Sequence, residues 1–174
     1  MTWRRLALFV GCLAVMLGSF FLTLRFLEKR NRPQEEIDAR AASERLAGRR
    51  IANNAELTAI ASEIGLNFSP RMLGHTDALG RVNEREVMIG GWLADPEGDA
   101  TPIQLVVFVA GAVAARTQTQ GERTDVTREF NLYFGSEKNV AFQATFACRA
   151  GEQPVAVAVG SGGQYFSLET PRCP

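Results

Sequence analysis

The most hydrophobic segment of the chain lies at its N-terminus, where residues 6–24 contain no charged side chain. As a helix this segment would be about 28 Å long, close to the thickness of the hydrocarbon core of a bilayer. It is longer than the apolar core of a signal peptide, and it continues to Phe26 and Leu27 without a small-x-small cleavage site. A lipoprotein site at Cys12 would leave only residues 6–10 as its apolar segment. We therefore predict an uncleaved transmembrane anchor over residues 1–27.

Small residues recur at intervals of four, three and four within this anchor. They are Ala7, Gly11, Ala14 and Gly18, which would lie on one face of the helix. Because small residues let helix backbones approach closely in lipid, this face predicts packing against another membrane helix. The alternative is that glycine and alanine are simply frequent in such helices.

After the anchor the chain becomes strongly charged, and we predict a helical stalk over residues 28–70. Pro33 suits the first turn of a helix, and acidic residues follow it. A second helix is predicted from Asn54, as its N-cap, to Gly65, as its stop signal. Its apolar positions are Leu57, Ile60, Ala61 and Ile64. This face would pack either on the domain that follows or on a partner protein.

Beyond the stalk the periodicity changes to that of β-strands, in which alternate residues are apolar. The pattern predicts strands over residues 85–92, 103–110, 113–119, 140–148, 155–159 and 165–168. Glycine at 111 and the glycine-rich residues 160–163 predict two hairpins. About seven short strands in about 100 residues fit an antiparallel β-sandwich over residues 71–174.

Three groups of residues in this region occur in a familiar order. They are Gly91-Trp92-x-x-Asp95-Pro96, then Ile103-x-Leu105-Val106-Val107-Phe108-Val109-x-Gly111, and then Arg123-x-Asp125-Val126 with Phe130. The set covers about half of the chain and resembles an immunoglobulin-like module found beside catalytic domains in secreted bacterial envelope proteins. The resemblance implies an immunoglobulin-like β-sandwich, an exported location and no catalytic residues of its own. Ala110 departs from the pattern, which has an aspartate there, and alanine adopts the left-handed conformation of a tight hairpin less readily than aspartate.

Four residues of these motifs are expected to stabilise the fold. Trp92 would be a buried core aromatic rather than a sugar-binding platform. Asp125 would cap the turn that begins at Val126, and Arg123 would pair with a carboxylate such as Asp95.

The cysteines bear on the orientation of the chain in the membrane. More basic residues follow the anchor than precede it, which by the positive-inside rule favours a cytoplasmic C-terminal domain. A long domain, however, translocates largely regardless of flanking charge. Cys148 and Cys173 are the only cysteines outside the anchor, and together with the single histidine, His75, they are too few for a zinc site. We predict a disulfide and a periplasmic domain, with two unrelated thiols and a cytoplasmic domain as the alternatives.

Charge and candidate chemistry exclude several classes of function. Residues 1–32 carry a net charge of +5 while the whole chain is neutral, so the body is acidic and nucleic-acid binding is not expected. His75, with Asp77 nearby, is expected to be solvated rather than catalytic. The acidic run Asp95, Glu97 and Asp99 could offer oxygens to calcium, but its proline and glycine indicate an ordinary turn. We expect no metal, no cofactor, no small-molecule ligand and no enzymatic activity.

These observations predict a single-pass protein of a bacterial inner membrane that acts by binding. The anchor and stalk would contact the lipid bilayer and membrane protein subunits, as in an accessory or assembly subunit of a complex. An alternative is an envelope-binding module for cell-wall glycan or lipid. That function would need an exposed pair of aromatic side chains, for which Tyr133, Phe134 and Tyr165 are the candidates.

Overall fold

The described part of the chain is mainly β-structure arranged in two sheets. The computed structural model describes residues 38–95, 102–129 and 139–174, which belong to one unit, Glu36–Pro174. Its strands are β1 (Asn67–Phe68), β2 (Leu73–Arg81), β3 (Glu86–Ala94), β4 (Gln104–Val109), β5 (Ala112–Gln118), β6 (Gly121–Glu122), β7 (Asn139–Ala147), β8 (Val155–Val159) and β9 (Gln164–Leu168). Its helices are α1 (Ala39–Ala47), α2 (Asn54–Glu63) and α3 (Thr124–Glu129).

The predicted anchor over residues 1–27 lies outside the described residues. Within those residues, no helix combines the length and the apolar character needed to cross a bilayer.

The two sheets contain five and four strands. The five-stranded sheet has the order β1-β9-β8-β4-β5, and the four-stranded sheet has the order β2-β3-β7-β6. Neighbouring strands are antiparallel except β1, which pairs with β9 in parallel. The prediction of a mainly β fold with antiparallel strands is confirmed, and both predicted hairpins, β4–β5 and β8–β9, are present.

Alternate residues of the strands point into the space between the sheets and form the main core. The strand residues in this core are Val87, Ile89, Leu93, Leu105, Val107, Phe142, Ala144, Phe146, Ala156, Ala158 and Leu168. Gly91 also lies in this region. A side chain there would collide with the ring of Phe142, 2.9 Å away, and with the carbonyl of His75, so only glycine allows β2 to approach β3 this closely.

The helices α1 and α2 cover the outer face of the five-stranded sheet. Leu46 of α1 and Leu57 of α2 are fully buried in a second core with Val106, Phe108 and Val157. The central strands β4 and β8 are therefore buried on both faces, because Leu105 and Val107 point to the first core while Val106 and Phe108 point to the second. The described part of the predicted stalk packs on the sheet and shares a core with it.

Local hydrogen bonds explain where α2 begins. Asn53 is its N-cap, and its side chain accepts a hydrogen bond of 2.9 Å from the backbone N–H of Glu56. The carboxylate of Glu56 in turn accepts one of 2.8 Å from the backbone N–H of Ala52. The first bond satisfies an N–H group that the first helical turn leaves without a partner, and the second holds the residue just before the N-cap. The predicted N-cap, Asn54, is therefore wrong by one residue.

The tip of the β4–β5 hairpin has the left-handed backbone that its turn requires. Ala110 has φ of 50° and Gly111 has φ of 80°, and Val109 pairs with Ala112 on either side of them. Positive φ at both central residues is the mark of a type I′ turn, which suits a two-residue hairpin. The N–H of Ile51 donates a 3.0 Å hydrogen bond to the carbonyl of Gly111, so the segment between α1 and α2 holds the tip.

The cysteine pair lies at one end of the two sheets. Cys148, just after β7, is joined to Cys173 near the end of the chain by a disulfide, with a Cα–Cα distance of 6.2 Å. The predicted disulfide therefore fits the structure. Backbone hydrogen bonds of 2.9 Å from Gly151 to Cys173 and from Cys173 to Glu152 bind the final segment to the β7–β8 turn.

Candidate protein-binding surface

Part of the outer face of the four-stranded sheet is left uncovered by the described residues, and we call its uncharged part the open face. It consists of the outward residues Ala78, Gly80, Met88, Gly90, Ala141, Gln143, Thr145 and Ala147. The register places Met88 opposite Thr145 and Gly90 opposite Gln143. Each of these residues is exposed or half-buried, and none carries a charge. The result is a flat surface of small or uncharged side chains.

The two sheets differ in how their outer faces are used. The outward residues Val106, Phe108 and Val157 of the five-stranded sheet are large and apolar, and helices cover them. The outward residues of β7 are smaller or more polar, as Gln143 and Thr145 show, and they remain accessible. This difference was present in the sequence of β7, whose inward positions are much more hydrophobic than its outward positions.

Trp92 borders the open face and is buried there beneath α3. Because Leu93 points into the space between the sheets, its neighbours in the strand, Trp92 and Ala94, point to the opposite side. Trp92 is 9% exposed and packs in a small cluster with Ala94, Val126 and Val140. The predicted burial of Trp92 is therefore confirmed, but the tryptophan lies outside the core between the sheets.

An arginine with two carboxylate partners connects α3 to β2 beside Trp92. Arg123 holds the carboxylate of Asp125 in a bidentate pair, with distances of 2.9 and 2.7 Å from Nε and Nη2. Its Nη1 also donates to Asp77, which lies where the register of β2 and β3 shifts by a bulge. The carboxylates found on Arg123 are those of Asp77 and Asp125, whereas Asp95 was the partner named in the prediction.

The ion pairs shift the pKa values of Arg123 and Asp125 in opposite directions. The hydrogen bonds from Arg123 lower the pKa of Asp125 from 3.8 to about 2, and a backbone hydrogen bond from Val126 contributes. The hydrogen bonds to Asp125 and then Asp77 raise the pKa of Arg123 above its ordinary value. Each charged form stabilises the other, so Arg123 and Asp125 are both ionised at neutral pH.

The other polar residues singled out in the sequence lie near this end of the sheet. His75 is an exposed residue of β2 opposite Trp92. Asp95 follows β3, and its Oδ2 is 3.2 Å from where a Cβ on Gly160 would lie. Glu97 and Asp99 are outside the described residues. Within those residues, no group of three or more histidine, cysteine, aspartate or glutamate side chains is arranged to hold a metal ion.

Of the three aromatic candidates for glycan binding, the structure describes one. Tyr165 is only 5% exposed and packs in the core beneath the helices. Its ring makes an edge-to-face contact with Phe68, with 5.8 Å between centroids. Phe68 itself is 57% exposed and is the accessible aromatic at this position. Tyr133 and Phe134 lie outside the described residues, as do the predicted membrane-packing residues Ala7, Gly11, Ala14 and Gly18.

Comparisons of the chain with protein-family models, with curated proteins and with solved structures found no match.

Proposed function

We propose that the protein is a single-pass, membrane-anchored binding subunit without catalytic activity of its own. In this proposal an immunoglobulin-like sandwich lies in the periplasm of a bacterium and serves an inner-membrane complex as an accessory or assembly subunit. The proposed binding function rests on the open face, which is accessible and uncharged. The apolar residues 6–24 carry the anchoring function.

The chemistry of the open face suits a protein partner. The centres of protein interfaces contain few charged residues, because each charge must lose its hydration when the partner binds. The outward positions of β3 and β7 between Glu86 and Trp92 meet this condition with Met88, Gly90, Gln143 and Thr145. The small residues among them and beside them, such as Gly90 and Ala141, let a partner backbone approach the sheet closely.

Two further features support the location and mode of action. A disulfide such as Cys148–Cys173 persists in oxidising compartments, which favours the periplasmic orientation. The small residues Ala7, Gly11, Ala14 and Gly18 would give the anchor its own contact with a membrane subunit. The open face and the anchor would then both contact the same complex, one in the periplasm and the other in the membrane.

Substitution of Gln143 by arginine tests the proposed role of the open face. The tagged full-length chain is purified from its native membranes in mild detergent, and the co-purifying subunits are quantified by mass spectrometry. Gln143→Arg places a charge at the centre of the proposed interface and should lower partner recovery at least about tenfold. A chain that purifies alone but is retained on isolated cell wall would instead favour the glycan- or lipid-binding alternative.

Gln118→Arg provides a matched control. Gln118 is an exposed residue of β5 in the other sheet, where its side chain accepts a hydrogen bond from Gln104. The substitution adds the same charge on a different surface and should leave partner recovery unchanged. Equal recovery with Gln143→Arg and Gln118→Arg would contradict binding through the open face.

A further inference from the structure

Three arginine side chains line one cleft at the end of the molecule that contains the disulfide. The cleft has a volume of about 560 Å³, and its lining includes Arg81, Arg85 and Arg149 together with Glu84 and Glu152. These residues come from two neighbouring connections, one between β2 and β3 and the other between β7 and β8. The cleft borders the open face at Ala147, and its lining contains none of the residues of the Arg123 ion pairs.

Hydrogen bonds within the two turns hold the backbone on both sides of the cleft. In the β2–β3 turn, the side chain of Asn83 accepts 2.9 Å hydrogen bonds from the N–H groups of Arg85 and Glu86. In the β7–β8 turn, the N–H of Arg149 donates a 2.8 Å bond to the carboxylate of Glu152. The disulfide at Cys148 and the backbone bonds to Cys173 connect this second turn to the end of the chain.

The positive charges in the cleft are only partly compensated. Arg81 donates to the backbone carbonyl of Glu84 and to a terminal oxygen of Pro174, the last residue of the sequence, so its charge already has an acceptor. Within the described residues, the guanidinium groups of Arg85 and Arg149 have neither a hydrogen bond nor an ion pair. The two carboxylates of the lining are fewer than the three guanidinium groups, and one of them already accepts a backbone N–H.

We propose that this cleft binds an oxyanion, a phosphate or carboxylate group, between Arg85 and Arg149. A guanidinium group presents parallel N–H donors that match two oxygens of either anion. Binding would give both guanidinium groups the charged acceptor that they lack. Because the turns are already ordered by their own hydrogen bonds, little backbone ordering would oppose binding.

The proposal is tested by titrating the full-length chain, in detergent, with sodium phosphate and separately with disodium succinate. Both titrations extend to about 20 mM at constant ionic strength, well above the Kd of about 1 mM that two charge-assisted contacts would give. The expected result is saturable binding by calorimetry with a rise in Tm. Binding of phosphate alone or of succinate alone would identify which oxyanion the cleft accepts. An equal response to sodium chloride would overturn the proposal.

Variants assign the binding to the cleft. Arg85→Gln and Arg149→Gln should each raise Kd about tenfold, because each loses a charge-assisted contact while no described contact of the fold is removed. Arg50→Gln is the matched control, since Arg50 is an exposed arginine on the connection between α1 and α2. Glu84→Gln should lower Kd, because it removes a negative charge from the lining. Unchanged Kd in both cleft arginine variants would also overturn the proposal.

Discussion

Trp92 of β3 and Val126 of α3 pack against each other on the outer side of the four-stranded sheet. The contact places a buried tryptophan away from the space between the sheets, under a helix of only six residues. Arg123, just before this helix, is held by Asp77 of β2. The short helix is therefore fixed at one end by an ion pair and along its length by the tryptophan.

Removing the tryptophan side chain should be costly although Trp92 lies outside the main core. We expect Trp92→Ala to lower the free energy of unfolding by about 3 to 5 kcal/mol, because a large buried side chain leaves a cavity. Chemical denaturation of the full-length chain measures this change. His75→Ala, at the exposed position opposite Trp92 in β2, should stay within about 0.5 kcal/mol. An effect of Trp92→Ala as small as that of His75→Ala would contradict the burial of Trp92.

The strands that could best be predicted from the sequence are those whose two faces differ in chemistry. In β7, Phe142 and Phe146 alternate with Gln143 and Thr145, so both the strand and its inward face were evident. In β3, by contrast, Trp92 and Leu93 are adjacent and both apolar, so the pattern could not show which one points between the sheets. Pairing with β7 decides this, and such pairing is a property of distant segments.

Contacts between distant segments also explain what the sequence did not predict. The continuous apolar runs of β4 and β8 are typical of strands buried on both faces, and they were the available sign that helices cover this sheet. The open face and the cleft depend on turns and strands brought together by the fold. Asp77 and Arg123, 46 residues apart, meet only because a bulge in β2 turns one of them towards α3.

The low pKa of Asp125 predicts a loss of stability in acid. Because folding lowers this pKa from 3.8 to about 2, the charged carboxylate contributes stability above pH 4. That contribution should disappear as the pH falls from about 4 to about 2. Asp125→Asn should therefore be less stable than the unmodified chain at pH 7 and similar to it near pH 2.

A direct titration separates this effect from other acid-sensitive groups. The carboxyl signal of Asp125, followed by NMR, should give a pKa of about 2 in the unmodified chain. In Arg123→Gln the pKa should rise towards 3.8, since the hydrogen bonds from Arg123 are the main cause of the shift. The same low pKa in Arg123→Gln would show that the ion pair has no such effect.

The disulfide should contribute substantially to stability. Cys148 and Cys173 are 25 residues apart, and closing a loop of this size stabilises a fold by about 3 kcal/mol in the chain-entropy model. We expect the double variant Cys148→Ala, Cys173→Ala to lose about this amount in chemical denaturation. Mass mapping without reductant provides the check on the native protein. Two free thiols in freshly isolated membranes would contradict the bond and favour the cytoplasmic orientation.

The anchor prediction is tested by filling its small-residue face. Replacing Gly11 and Gly18 with leucine keeps the segment apolar and long enough to insert, but it holds a neighbouring helix away. Most short-range dispersion contacts are lost at such a separation. We expect normal membrane insertion, measured by carbonate extraction, together with reduced recovery of the partner. Unchanged recovery would mean that binding depends on the rest of the chain.

The turn at Ala110 offers a substitution that should stabilise the fold. Ala110 is the only residue other than glycine with positive φ in the described part of the chain, and this conformation costs an alanine about 1 to 2 kcal/mol. Ala110→Asn should recover part of that cost, about 0.5 to 1 kcal/mol, because asparagine tolerates the left-handed region far better. Ala112→Asn, two residues further on in the exposed part of β5, is the control and should be neutral or destabilising, since asparagine is disfavoured in strands. A higher midpoint of denaturation for Ala110→Asn alone would support the type I′ turn. A loss of stability in this variant would mean that the turn has another geometry in solution.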